Sequence, residues 1–109
     1  MPDISLFDAI HAQRAIRRFK PDPVPQEAIE QVLNAAIRAP SGSNSQPWSF
    51  VVVRDQALKE AIAEWYLDVW ENVYTADPRR AASTVASSAE YLAYHLAETP
   101  VLIFPCYRG

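Results

Sequence analysis

Pro40-Ser41-Gly42-Ser43-Asn44-Ser45-Gln46-Pro47-Trp48 leads directly into Ser49-Phe50-Val51-Val52-Val53, and the change of character at Trp48 sets the frame for the rest of the chain. The first part is small, polar and bracketed by prolines, which is loop chemistry. The second is bulky and β-branched over strand length, so it reads as a buried strand. Upstream, Ala28, Ile29, Val32, Leu33, Ala36 and Ile37 recur at helical spacing, which predicts a helix with Pro25 in its first turn and an end before Pro40. Pro21, Pro23 and Pro25 separate that helix from a short first one. Ser5, with Asp8 three residues on, reads as its cap, and Phe7 and Ile10 continue it towards Arg14-Ala15-Ile16-Arg17-Arg18-Phe19.

Downstream, Asp55 is placed to cap a third helix, in which Leu58, Ile62, Trp65, Val69 and Val73 share one side. Tyr66, Trp70 and Tyr74 widen that stripe to a neighbouring face, and the aromatic stripe as a whole reads as core or as a dimer interface. Asp77-Pro78 restarts the pattern, and Val85, Ala89, Leu92 and Leu96 predict a fourth helix ending before Pro100. Val101 to Phe104 is uniformly apolar, as a strand covered on both faces would be, while Pro105 puts its far end at an edge or a bulge. Two separated strands make little of a sheet, and each buried backbone group left unpaired costs about 1–3 kcal/mol. Residues 1–109 are therefore expected to be the N-terminal part of a single domain that continues past Gly109.

Half of the 109 residues are hydrophobic, which favours a folded chain over a disordered one. A net charge of -3 creates no overall field for nucleic acid or an acidic membrane, so neither is expected as a partner. Met1 to Phe7 lacks the basic and apolar regions of a leader, and no apolar run approaches the ~20 residues of a membrane span. One cysteine, Cys106, and two histidines, His11 and His95, offer neither an intrachain disulfide nor zinc spacing. The reading is a reducing cytoplasm, no structural metal, an inert buried thiol, and histidines with surface or capping roles. Dinucleotide, P-loop, C-x-x-C, H-E-x-x-H and G-x-S-x-G signatures are all absent, so nothing supports a protein nucleophile.

Two stretches look built to hold a ligand. Arg14, Arg17 and Arg18, placed at the end of the first helix, form a cationic corner whose guanidinium forks suit a phosphate; the same residues would also complement the helix dipole. The loop from Pro40 to Trp48 offers close backbone approach at Gly42, amide donors and an indole plane, as a flat heteroaromatic ring requires. An ordinary polar turn anchored by Trp48 would have the same letters.

Together, Arg-Ala-Ile-Arg-Arg-Phe, the Pro-Asp-Pro-Val-Pro link, an amphipathic helix, Ala-Pro-Ser-Gly-Ser-Asn-Ser-Gln-Pro-Trp and Phe-Val-Val-Val resemble the N-terminal half of the nitroreductase family, most strongly from Ser5 to Arg54. The resemblance implies an α+β, nitroreductase-like fold with helices around a central mixed sheet, incomplete in this chain. It also implies an FMN-dependent oxidoreductase that moves hydride from NAD(P)H to a small electron acceptor such as a nitroaromatic or a quinone. The family's homodimer holds the flavin at its subunit interface. By analogy Arg14, the backbone around Ala15, and Arg17 approach the phosphate, ribityl chain or pyrimidine edge from one subunit. Pro40, Ser41, Gly42 and Asn44 reach the isoalloxazine from the other, with Gln46, Pro47 and Trp48 supporting the loop. Many members carry arginine at Gln13 and serine at Ala15, which shifts the phosphate contact towards Arg14 and Arg17. No catalytic acid or base is assigned. Two other readings are a flavin-binding or dimerisation remnant without catalysis, and a helical interaction module using the aromatic face.

Overall fold

Short-range capping chemistry places most of the helices. In a computed structural model, which describes residues 3–109, the order is α1 (Leu6–Ala12), α2 (Gln26–Ala36), β1 (Trp48–Val53), α3 (Gln56–Val69), α4 (Pro78–Ala81), α5 (Ala86–His95) and β2 (Leu102–Tyr107). Tight turns at Gly42–Asn44 and Leu96–Glu98 precede the strands, and one π-helical turn, Trp70–Tyr74, extends α3. Ser5 Oγ accepts from Asp8 N at 3.1 Å, Asp55 Oδ1 accepts from Ala57 N at 2.8 Å, and Asp77 Oδ1 accepts from Arg79 N at 2.9 Å. Each satisfies an N–H that a helix start leaves without an internal partner.

Three boundaries differ from expectation. α1 ends at Ala12 with Gln13 already extended, so Arg14 to Phe19 lie in irregular backbone rather than at the end of the helix. Pro25 is the N-cap of α2 rather than part of its first turn, and its carbonyl accepts from Ala28 and Ile29. The expected fourth helix is broken into α4 and α5, and it stops before Pro100 as read.

β1 and β2 pair antiparallel with Trp48 opposite Tyr107 and Val53 opposite Leu102, so where a mixed sheet was expected the described residues form one antiparallel pair. The two strands thus satisfy one edge of each other, which the reading of isolated strands did not foresee. Arg108 N donates to Pro47 O at 2.7 Å, and the alternation of an antiparallel ladder then makes Phe50↔Pro105 a non-hydrogen-bonded pair. The missing N–H of Pro105 therefore faces the outer edge of β2, which is how a proline sits inside a ladder.

Burial departs furthest from the sequence reading. The buried hydrophobics among the described residues are Ile29, Val53, Trp70, Ala93 and Leu96. β1 is not a buried strand: Val51 is 50% exposed, and β2 is open over Phe104 to Tyr107. On α3 the predicted apolar stripe faces outward, with Trp65 at 71% exposure, while Lys59 is buried. Beside this face lie the Leu96–Glu98 turn after α5 and Thr99, whose carbonyls take donors from α3. Lys59 Nζ donates to Thr99 O at 2.8 Å and Gln56 Nε2 to Ala97 O at 3.2 Å, turning that face of α3 inward. A radius of gyration of 16.4 Å exceeds the ~13 Å of a compact chain of this length, consistent with apolar faces that this chain leaves uncovered.

Candidate functional site

The loop before β1 is closed upon itself by polar contacts. Asn44 N donates to Ser41 O and Ser45 N to Gly42 O, both at 3.0 Å, and Ser41 Oγ accepts from Gln46 N at 3.0 Å. Gln46 Nε2 donates to Asn44 Oδ1 at 3.1 Å. This wiring holds Ser43, Asn44 and Gln46 at φ of 54°, 53° and 50°, the left-handed region that costs an L-residue about 1–2 kcal/mol. Backbone strain of this kind collects at functional sites. Gly42, by contrast, has no positive φ, and a Cβ placed there meets nothing within 4 Å. Nothing in this chain requires a glycine at that position, so the open space above it is free for something from outside the chain.

Pro40 is exposed, Ser41 is half-buried, and Asn44 presents its amide NH2 with no recorded partner among the described residues. Pro47 and Trp48 are half-buried at the start of β1, where the Pro47 carbonyl is tied to Arg108, in keeping with a supporting role.

Arg14 and Ala15 are exposed on the segment after α1. Arg17 is half-buried and donates from Nη1 to Ser88 Oγ at 3.3 Å, leaving most of its N–H groups uncommitted. Arg18 lies with its guanidinium carbon 3.8 Å from the centroid of the Tyr91 ring. The ion pairs among the described residues join Arg79 and Arg80 to Asp77, and none of them involves Arg14, Arg17 or Arg18. Such cations remain available to an anion.

No hydrogen bond among the described residues joins the arginine segment to the 41–46 loop. Each half of the predicted site is formed within one chain, and the two halves are not wired to one another. Sequence reasoning missed Ser88 and Tyr91 on α5. Their signal was present, since Ser88, Tyr91, Leu92 and His95 stand at helical spacing on one face.

The remaining candidates separate clearly. His95 Nδ1 lies 2.7 Å from Tyr91 O; a carbonyl only accepts, so Nδ1 carries the proton. Its ring stacks on Tyr91 at 3.9 Å and 11°, a structural role, and His11 is exposed in the last turn of α1. Cys106 is exposed rather than buried, because the face of β2 that carries it is uncovered; its Sγ lies 3.5 Å from Phe104 O. Two groups outside the candidate site have shifted pKa values. The Arg79 side chain and backbone hold the Asp77 carboxyl below its usual range, with a further contribution from the Arg80 charge, while the Glu71 carboxylate accepts the Tyr94 hydroxyl at 2.7 Å and pushes that phenol up. Among the described residues no group of three potential metal ligands occurs, and no helix is long and apolar enough to cross a membrane.

Solved structures share this architecture. The chain superposes on an oxidized iodotyrosine deiodinase bound to FMN and 3-iodo-L-tyrosine with a TM-score of 0.75 and 27% identity, covering 93% of this chain and 55% of that one. An FMN-dependent nitroreductase from Clostridium difficile R20291 gives a TM-score of 0.65 at 28% identity, covering 93% of this chain and 43% of that one. The fold is therefore nitroreductase-like. Residues 10–108 match the nitroreductase family, and a Thermus thermophilus protein named NADH dehydrogenase is 47% identical over 64 residues, which are 59% of this chain and 31% of that protein. The chain belongs to the nitroreductase family. It spans about half the length of these solved structures and less of the curated relative.

Proposed function

We propose that this chain contributes the N-terminal part of a single nitroreductase-like domain to an FMN-dependent oxidoreductase, working as a homodimer in the cytoplasm. One observation carries the reading: the family match over residues 10–108 contains both ligand-holding segments, the unneutralised arginines and the strained loop around Gly42. The residues suit the flavin nucleotide. Arg14 and Arg17 supply uncommitted guanidinium donors for its phosphate, the exposed Ala15 lies between them, and Asn44 supplies amide donors for a polar ring edge. Pro40, Ser41 and Gly42 offer a small-residue surface over which a flat ring can approach the backbone. Bound FMN would supply the redox chemistry, accepting hydride from NAD(P)H and passing electrons to a small acceptor such as a nitroaromatic or a quinone.

The protein's own part is orientation and electrostatics. Arg17, half-buried and with no carboxylate partner among the described residues, would favour negative charge beside it, and the loop would hold its donors fixed before the ligand arrives. No side chain here is assigned to proton transfer. Among the described residues no hydrogen bond joins the two segments, which supports a site completed across a dimer, with the arginines from one subunit and the 40–44 loop from its partner.

The test is an FMN fluorescence titration with the chain and its Arg17→Ala variant. Loss of the arginine should weaken binding about tenfold, the ~1.4 kcal/mol scale of one partly exposed charged contact. Unchanged affinity would remove Arg17 from the site, and no quenching by the parent chain would defeat the flavin reading for these residues alone. A second reading, a flavin-binding or dimerisation remnant without catalysis, is favoured by the open apolar faces of α3 and β2. It predicts FMN binding or self-association without NAD(P)H oxidation.

A further inference from the structure

We propose that one face of α5 positions the arginine segment, with Ser88 and Tyr91 holding Arg17 and Arg18 so that Arg14 and the remaining N–H groups of Arg17 are presented to a phosphate. The proposal rests on the flavin reading above for its ligand, but its geometry stands without it. Arg17 Nη1 donates to Ser88 Oγ at 3.3 Å, and the same hydroxyl donates to Val85 O at 3.1 Å, which orients its lone pairs towards the guanidinium. One helical turn on, the Arg18 carbon lies 3.8 Å from the Tyr91 ring centroid, and the His95 ring lies 3.9 Å from that same centroid. Two groups that close to one centroid occupy opposite faces of the ring, so Tyr91 is sandwiched between them. His95 is itself fixed by its bond to Tyr91 O.

The three arginines therefore have different tasks. Arg18 is committed to an aromatic face and anchors the segment. Arg17 is tethered by one donor and keeps the others. Arg14, with no recorded partner among the described residues, is left for the ligand. Arginine side chains lose much rotamer freedom when they bind, and a segment already seated on a helix loses less of it at the moment of binding. Ser88 and Tyr91 thus act as positioning residues through Arg17 and Arg18.

Tyr91→Leu removes the aromatic face, whereas Tyr91→Phe keeps it. Two readouts separate the clamp from its purpose: the rate of tryptic cleavage after Arg18 in the flavin-free chain, and the ratio of FMN to riboflavin affinity, since riboflavin lacks the phosphate. Tyr91→Leu should speed the cleavage and weaken FMN about two- to fivefold, the range of one exposed cation–π contact, with riboflavin unaffected. Tyr91→Phe should match the parent chain in both, and Ser88→Ala should shift the ratio in the same direction as Tyr91→Leu. Unchanged cleavage in Tyr91→Leu would overturn the clamp. Faster cleavage with an unchanged FMN-to-riboflavin ratio would overturn the positioning role. A parent chain that binds both flavins equally, or neither, would instead defeat the phosphate assignment of Arg14 and Arg17, while the cleavage rates would still decide the clamp.

Discussion

Replacing Asn44 by alanine changes one thing, and replacing it by glycine changes two. Both substitutions delete the amide, losing the 3.1 Å contact from Gln46 and any donor offered to a ligand. Alanine keeps a Cβ at a position whose φ is 53°, whereas glycine removes it. Left-handed strain of about 1–2 kcal/mol is set against the ~0.4–1 kcal/mol by which alanine restricts the unfolded chain relative to glycine, so Asn44→Ala should be less stable than Asn44→Gly by roughly 0.5–1 kcal/mol. FMN binding should respond differently. If the amide is a ligand contact, both variants weaken it about three- to tenfold, the range of one hydrogen bond. The assay pairs urea denaturation followed by circular dichroism with FMN fluorescence quenching on the same samples. Equal stability of the two variants would show that the loop does not impose the left-handed conformation, and full FMN affinity in Asn44→Gly would take the amide out of the site.

Lys59→Met keeps the buried stem but leaves Thr99 O without its donor. Against the relief of a buried charge, the expected net loss is about 1 kcal/mol, or a melting temperature lower by roughly 4–8 °C, and stability equal to the parent's would refute the role given to this lysine. Tyr94 should ionise above the ordinary tyrosine range in a phenolate absorbance titration, because its folded pKa is raised by the Glu71 carboxylate. The stability it contributes is fully present below the ordinary tyrosine value of about 10 and is lost as pH rises through the folded value. Tyr94→Phe should remove a late-ionising component from the curve, whereas an absorbance change lost from the ordinary tyrosine range would contradict the contact.

What was legible in the letters was local. Ser5, Asp55 and Asp77 cap helices through hydrogen bonds two or three residues away, so their placement follows from neighbours in the chain. The arginine run and the Pro40–Trp48 loop carried the family resemblance for the same reason, since each is a contiguous string. The left-handed turn at Ser43, Asn44 and Gln46 was not legible there, because it arises from how Ser41 and Gln46 meet, not from any one residue's preference.

Tertiary structure decided what depended on distant partners. Trp48 meets Tyr107 across most of the chain, and only that register shows how Pro105 fits within a strand. Hydrophobic periodicity marked a stripe on α3 but not its destination: the open carbonyls after α5 drew in Lys59 and Gln56, Leu58, Trp65, Val69 and Val73 turned outward, and Trp70 stayed buried. Likewise no spacing along the chain could place Ser88 and Tyr91 beneath Arg17 and Arg18, which lie some 70 residues earlier. Periodicity records which residues share a face, whereas the identity of the surface that meets that face is a non-local fact, settled by where unsatisfied polar groups find partners.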